Sequence, residues 1–295
     1  MPKQYKIACL GCSWTEGTGV FPIHVYRKVQ KTINYKMSRE HELAQTDTYP
    51  FKLQEFLKAH GKSTEMIQAG RAGSSFEYCH LVANYILKEY NPDIFVIQIT
   101  THDRGMLALD PKDPNEKDIK FGVDTFLDLK NNNSYHKIWQ LSDNIINISS
   151  GLGATASSHN DSNEYTDLLD KIYNEKIKDK MAPEVSFNDF KNYIALWWDQ
   201  TRNTDFQKYF YYSHVYSLVD YLQEQEKIVI PFYWLKYKPW FGSNLFSERQ
   251  YPSIQGMMGK KLFESYVIDK GFHFGPDGNA KLIEDFLGPA ILETM

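Results

Sequence analysis

Four stretches of this chain carry side chains able to do chemistry together. The first is Gly11-Cys12-Ser13-Trp14-Thr15-Glu16-Gly17, directly after the apolar run Ile7-Ala8-Cys9-Leu10. A serine just past a strand becomes a nucleophile when a base takes its proton and nearby N–H groups receive the developing oxyanion. The same serine can instead cap the segment that follows, and the motif alone does not separate the two. The second stretch is Gln68-Ala69-Gly70-Arg71-Ala72-Gly73-Ser74-Ser75. Gly73, with no side chain, can bring a backbone N–H against a substrate oxygen, or the two glycines can simply make a tight turn. The third is Gln98-Ile99-Thr100-Thr101-His102-Asp103-Arg104, where His102 and Arg104 serve equally well as ligand contacts or as structural donors. The fourth, from Asp269 to Leu287, puts His273 just ahead of a helix opened by Pro276. An imidazole there suits a general base; in isolation it also reads as a surface histidine flanking a helix.

These stretches need a scaffold that brings them to one edge. Lys6 to Leu10, Thr64 to Gln68, Ile94 to Ile99 and Ile228 to Trp234 read as buried strands, the last three rich in β-branched or aromatic residues. Between the first three lie helical patterns. Asp47-Thr48-Tyr49-Pro50 supplies a start for a helix bearing Phe51, Leu53, Phe56 and Leu57 and ending at Gly61. A second helix, from about Ser75 to Tyr90, carries Leu81, Val82, Tyr85 and Ile86 and stops before Asn91-Pro92. Alternating strands and helices predict an α/β fold with a parallel sheet covered on both faces. In such sheets ligands bind at the carboxyl ends of the strands, where Ser13, Gly73 and Thr101 fall. The aromatic-rich stretch from Phe206 to Glu226 reads as a core helix.

With 295 residues, 42% hydrophobic and 24% charged, the chain can bury at least one full-sized core. A formal net charge of -4 and the lack of a basic block argue against a sequence-independent nucleic-acid binder, which needs clustered Lys and Arg on phosphate. The longest strongly apolar stretch, about Ile228 to Leu235, is far short of the ~20 residues that span a bilayer. The amino-terminal run lacks the features of a signal peptide, so the chain is expected in a cytoplasm. Three cysteines, Cys9, Cys12 and Cys79, cannot all pair within one chain, which fits a reducing compartment. Cys9-Leu10-Gly11-Cys12 has redox spacing but ends a strand instead of opening a helix, so structural thiols are expected. Between Gly105 and Asp205 there are 17 acidic and 11 basic residues, net -6, leaving +2 elsewhere. This segment, residues 105–205, interrupts the strand and helix alternation and holds Trp139, Trp197 and Trp198; it reads as a mainly helical insertion or lid. The remaining residues, 1–104 and 206–295, form the α/β domain. Gly151-Leu152-Gly153 has half of a dinucleotide loop, but no strand precedes it and the third glycine is missing, so no phosphate cradle is expected.

Taken together and in order, the four stretches resemble the SGNH (GDSL-type) serine hydrolases. Gly11-Cys12-Ser13 stands where the family more often has Gly-Asp-Ser; Gly70 to Gly73, Thr100 to Asp103, and Asp269 to His273 with its Gly-Pro-Asp-Gly tail match the other three blocks. The resemblance covers about residues 5–104 and 226–290, and it is nearest to divergent members found in phage genomes. It implies a three-layer flavodoxin-like sandwich with a parallel sheet, carrying the helical insertion. It also implies Ser13 as nucleophile, His273 as general base and Asp269 as the acid orienting it. Oxyanion donors would be the N–H groups of Ser13 and Gly73, with Thr101 or His102 in place of the family's asparagine. Trp14 and Arg104 would line the substrate.

The sequence departs from the family in two blocks. The third reads Thr100-Thr101-His102-Asp103 instead of Gly-x-Asn-Asp, and loss of one oxyanion donor typically costs about 100- to 1000-fold in rate unless its replacement also donates. In the last, the position three before His273 is Lys270, and the nearest acid, Asp269, is four before. The expected function is that of an esterase or deacylase acting on a small-molecule or carbohydrate ester through an acyl-Ser13 intermediate, with no metal or organic cofactor and with neither nucleic acid nor membrane as partner. The alternative is a binding or virion-associated protein that keeps the scaffold without the chemistry. A flavodoxin-like phosphate or nucleotide binder is opposed by the bulk of Trp14 and the charge of Glu16 in the first loop.

Overall fold

The computed structural model describes residues 3–16, 46–71, 74–100, 104–108, 120–128, 133–140, 145–157, 163–178, 183–203, 205–235, 251–268 and 272–295. Strand β1 (Gln4–Gly11) lies at the centre. It pairs in parallel with β2 (Ser63–Gly70) from Gln4↔Ser63 to Gly11↔Gly70. On its other side it pairs with β3 (Ile94–Ile99), Ile7 against Ile94. Beyond β3 runs β8 (Ile228–Tyr233), also parallel. These are the four strands expected from the sequence. Pro231 has no N–H to give, and β8 is an edge strand, the place in a sheet that tolerates this.

The other edge differs from expectation. Strand β6 (Asn133–Gln140) pairs in parallel with β2, and β5 (Phe121–Asp128) runs antiparallel outside it. Among the described residues the sheet therefore has six strands in the order β5-β6-β2-β1-β3-β8 and is mostly parallel. Residues 105–205, read as a mainly helical insertion, thus supply two of its strands. The same segment holds a separate ribbon of β4 (Gly105–Ala108) and β7 (Ile145–Ile148). Its helices are α4 (Ser150–Ala156), α5 (Asn163–Ile172), which continues as a π-helical turn over Tyr173–Lys178, and α6 (Phe187–Asn203). They bury Leu152, Leu169, Phe190 and Ile194 against Ile146 and Ile148 of β7. The Gly151-Leu152-Gly153 stretch lies in α4, capped where the Leu152 N–H donates to Ser149 Oγ. A Cβ on Gly153 would fall 2.1 Å from the Trp198 ring, so this glycine serves packing.

Helices cover both faces because the central strands bury both sets of side chains. Alternate residues of a strand point to opposite faces. Ile7 and Cys9 join Leu53 and Leu57 of α2 (Tyr49–Ala59), while Ala8 and Leu10 join Val82 and Ile86 of α3 (Phe76–Tyr90). The first face is completed by α8 (Ile254–Met258), α9 (Lys260–Tyr266), α10 (Pro276–Leu282) with its π-helical extension Ile283–Leu287, and α11 (Gly288–Leu292). The second face is completed by α7 (Asp205–Glu224), through Val215, Leu218 and Leu222. This is the core helix expected from its aromatic spacing. Helix α2 starts with Pro50 in its first turn, and Gly61, at φ 73°, follows its end. Asn91 at φ 48° closes α3 ahead of Pro92. Among the described residues no helix is long and apolar enough to cross a membrane.

Candidate active site

The short helix α1 (Ser13–Glu16) follows β1 after a single residue, so Ser13 stands at the carboxyl edge of the sheet and is nearly buried. Two glycines let this turn fold so tightly. A Cβ on Gly11 would lie 2.1 Å from Thr15 Oγ1 and 2.4 Å from Gln98 Oε1. A Cβ on Gly70, the residue opposite in β2, would lie 2.3 Å from the Glu16 backbone nitrogen.

Buried amides hold the turn from below. Gln98 Oε1 accepts from the Cys12 N–H at 3.0 Å and from the Thr15 hydroxyl at 3.0 Å, and its Nε2 donates to Cys12 Sγ at 3.3 Å. With the Thr15 hydrogen given to Gln98, the Tyr49 hydroxyl is the donor in its 3.1 Å contact with Thr15 Oγ1. From the other side, Gln68 Nε2 donates to the Thr15 carbonyl at 2.5 Å, and Tyr135 donates to Gln68 Oε1 at 2.8 Å. Burial pushes the Tyr49 and Tyr135 hydroxyls well above their ordinary range, so both remain protonated donors. Arg71 N–H and Ser74 Oγ each donate to the Gly11 carbonyl at 3.2 Å, tying the end of β1 to the loop after β2.

His273 approaches from the opposite end of the chain. Its Nε2 lies 2.8 Å from Ser13 Oγ, a contact across 260 residues. With Nε2 unprotonated, the Ser13 hydroxyl donates to it and the imidazole proton sits on Nδ1. That is the geometry for removing the hydroxyl proton as the oxygen attacks an acyl carbon. The histidine is fixed by an N–H···O bond from Ile268 to its carbonyl at 2.9 Å and by the bridge between Val267 and Phe274. Phe272, just before it, takes the left-handed φ of 59°, and its carbonyl accepts from the Trp234 indole N–H at 2.9 Å. Trp14, next to Ser13, stacks on Trp234 at 5.0 Å and 11°, and its ring lies 6.0 Å from that of His273. The Arg104 guanidinium stands 5.9 Å over the Trp14 ring.

Four expected site residues therefore meet: Ser13, His273, Trp14 and Arg104. Asp269, Gly73, Thr101 and His102 lie outside the described residues. The Cys12 N–H is committed to Gln98, so of the backbone donors in this turn it is the Ser13 N–H that the oxyanion reading uses. Cys9, Cys12 and Cys79 are free, buried thiols, as expected, and burial raises Cys9 and Cys79 beyond reach of ionisation at neutral pH. Among the described residues no three His, Cys, Asp or Glu side chains are grouped to hold a metal ion.

Sequence reasoning passed over Gln68, Gln98, Thr15, Tyr49 and Trp234. The signal for the first two was present: each is an amide near the carboxyl end of an otherwise apolar, fully buried strand segment. A polar group in that setting needs a specific partner. Comparisons with protein-family models, with curated proteins and with solved structures return no match to this chain.

Proposed function

We propose that this chain is a serine esterase or deacylase of the SGNH type, built as a three-layer flavodoxin-like sandwich. The observation that carries the reading is the 2.8 Å contact between Ser13 Oγ and His273 Nε2 at the carboxyl edge of a mostly parallel sheet. Ser13 Oγ attacks the carbonyl carbon of an ester while its proton passes to His273 Nε2. The C=O electron pair moves onto oxygen, where the Ser13 and Gly73 N–H groups, with Thr101 or His102, receive the charge. Collapse breaks the bond to the leaving alkoxide, which takes the proton from His273 and leaves acyl-Ser13. Water then repeats the sequence, His273 accepting its proton and returning it to Ser13. Asp269, or a backbone carbonyl, orients the imidazole through Nδ1. The substrate class is a small or carbohydrate O-acyl ester. The buried free thiols fit a cytoplasmic setting.

The test is chemical. A fluorophosphonate should label Ser13, and a short-chain aryl ester should be hydrolysed with a rate that rises as imidazole loses its proton. Ser13→Ala and His273→Ala should each abolish both signals, because residues acting as a unit are lost together. Asp269→Asn should slow turnover less if a carbonyl shares its role. Folded wild-type protein that resists the probe and turns over no member of a broad ester panel would overturn the reading and leave the non-catalytic binding module in its place.

A further inference from the structure

Trp234 touches the chain neighbours of both Ser13 and His273, and this makes it more than core. It is the first residue after β8, with only 1% of its surface exposed. Its backbone is pinned because the Gln255 N–H donates to its carbonyl at 3.1 Å and the adjacent Tyr233 N–H donates to Pro252 at 2.8 Å. From that fixed point the indole packs edge-on against Phe263 at 6.3 Å and makes contacts on either side of the pair. Its face stacks on Trp14, the neighbour of Ser13; its ring centre lies 4.8 Å from that of Phe274, the residue after His273, the planes tilted by 55°; and its N–H holds the carbonyl of Phe272, the residue before His273. Phe272 is the unusual partner. A bulky residue rarely takes a positive φ, and its own ring, 40% exposed, is poorly anchored by packing. The indole N–H, a donor with no acceptor capacity, rewards the backbone turn that presents the Phe272 carbonyl.

We propose that Trp234 is a positioning residue that sets the distance and angle between Ser13 Oγ and His273 Nε2, a role that rests on the hydrolase reading above. It acts through Phe272 and Trp14 and does not touch the reacting atoms. One rigid indole spans the two loops that bring nucleophile and base from opposite ends of the chain. A bond to the residue before His273 turns the imidazole, while the stack on Trp14 fixes the turn that carries Ser13.

The experiment uses the full chain with two variants. Trp234→Phe keeps a ring and removes the N–H; Phe272→Asn installs a residue that enters the left-handed region more readily than phenylalanine. Three readouts are taken: kcat and KM on an aryl acetate, the rate of fluorophosphonate labelling at Ser13, and the His273 ring-nitrogen resonances compared with those of Ser13→Ala. Expected for Trp234→Phe is about a tenfold fall in kcat and in labelling rate with KM within about twofold, and a His273 signal that no longer responds to Ser13→Ala. Adding Phe272→Asn should recover most of that loss, because the turn then needs less help from the indole. Trp234→Phe with wild-type kcat and an unchanged Ser13-dependent His273 signal would overturn the proposal, as would a double variant no faster than the single one. If wild-type protein neither labels nor turns over, the hydrolase reading fails on its own, and the resonances still decide whether Trp234 sets the pair.

Discussion

Gln98 offers the sharpest separation of site geometry from stability. Its side chain is fully buried, and Gln98→Leu keeps most of the volume while removing the oxygen that accepts from Cys12 N–H and Thr15 Oγ1. The Thr15 hydroxyl has a second acceptor, the Leu10 carbonyl at 3.4 Å, and turns to it. The Cys12 N–H is anchored by Gln98 and loses that acceptor. One buried donor left unsatisfied costs about 1–3 kcal/mol, so the expected loss of stability is about 2 kcal/mol. Cys12 immediately precedes Ser13, and a displacement of about 1 Å at a reacting group can cost about a hundredfold in rate. Fluorophosphonate labelling of Ser13 in Gln98→Leu should accordingly slow by about ten- to a hundredfold. Urea unfolding gives the stability, with an unchanged m-value certifying the comparison. Leu53→Ala serves as control: this fully buried residue of α2 belongs to the core and not to the turn, so it should cost about 2–5 kcal/mol while labelling of the folded protein proceeds at the wild-type rate. If Gln98→Leu labels at the wild-type rate, or is no more than ~0.5 kcal/mol less stable, the amide does not hold the turn that carries Ser13.

Gly70→Ala should be poorly tolerated, because its Cβ would meet the backbone of Thr15 and Glu16 at 2.6 and 2.3 Å, whereas Gly61→Ala, at φ 73° in open space, should cost only about 1 kcal/mol; thermal unfolding of both variants checks the ordering. Acid should weaken the fold through His80, which burial holds below its ordinary value of 6.5 while the His214 carbonyl and the charge of Glu77 oppose the shift. Its folded pKa is the lower one, so its contribution is complete above about pH 6.5 and is lost as pH falls from there through the folded value, as the unfolded chain takes up a proton first. His80→Gln should flatten the stability profile below pH 6.5, apart from the similar, burial-driven contribution of His136; an unaltered profile from denaturant titrations would refute the assignment.

The central sheet was legible because parallel strands buried on both faces read as short apolar runs, as β1 and β3 do, while β8 shows a run of β-branched and aromatic residues though it is mostly half-buried. The two strands at the β2 edge were not. Phe121–Asp128 carries Asp124 and Asp128 among its apolar residues, and Asn133 opens β6 at the end of the run Asn131-Asn132-Asn133, which reads as a break in structure. Lys137 hides β6 further: it is buried next to Gln68 in register, its amine held below the ordinary lysine range by burial against the pull of Glu16 and Asp124. Ser13 and His273 could be named because each sits in a motif of small and polar residues at the end of a strand or ahead of a helix. The amides beneath them carry no such flag, since a single glutamine in an apolar strand acquires its meaning only when a second strand and a turn are laid over it. The contribution of Trp234 likewise depends on the carbonyl direction of a residue 38 positions away.

Because the contact between Ser13 and His273 joins positions 260 residues apart, its completion has a place in time as well as in space. At about 5–20 residues per second, a ribosome delivers His273 roughly 13 to 52 s after Ser13. Through that interval the turn carrying Ser13 and the α2 face of the sheet lack the later segments, among them Ile254, Phe263, Phe274 and Leu282, that pack with Ile7, Leu53 and Leu57 in the finished core. A Ser13–His273 contact therefore cannot form on the nascent chain until the segment carrying His273 has left the ribosome.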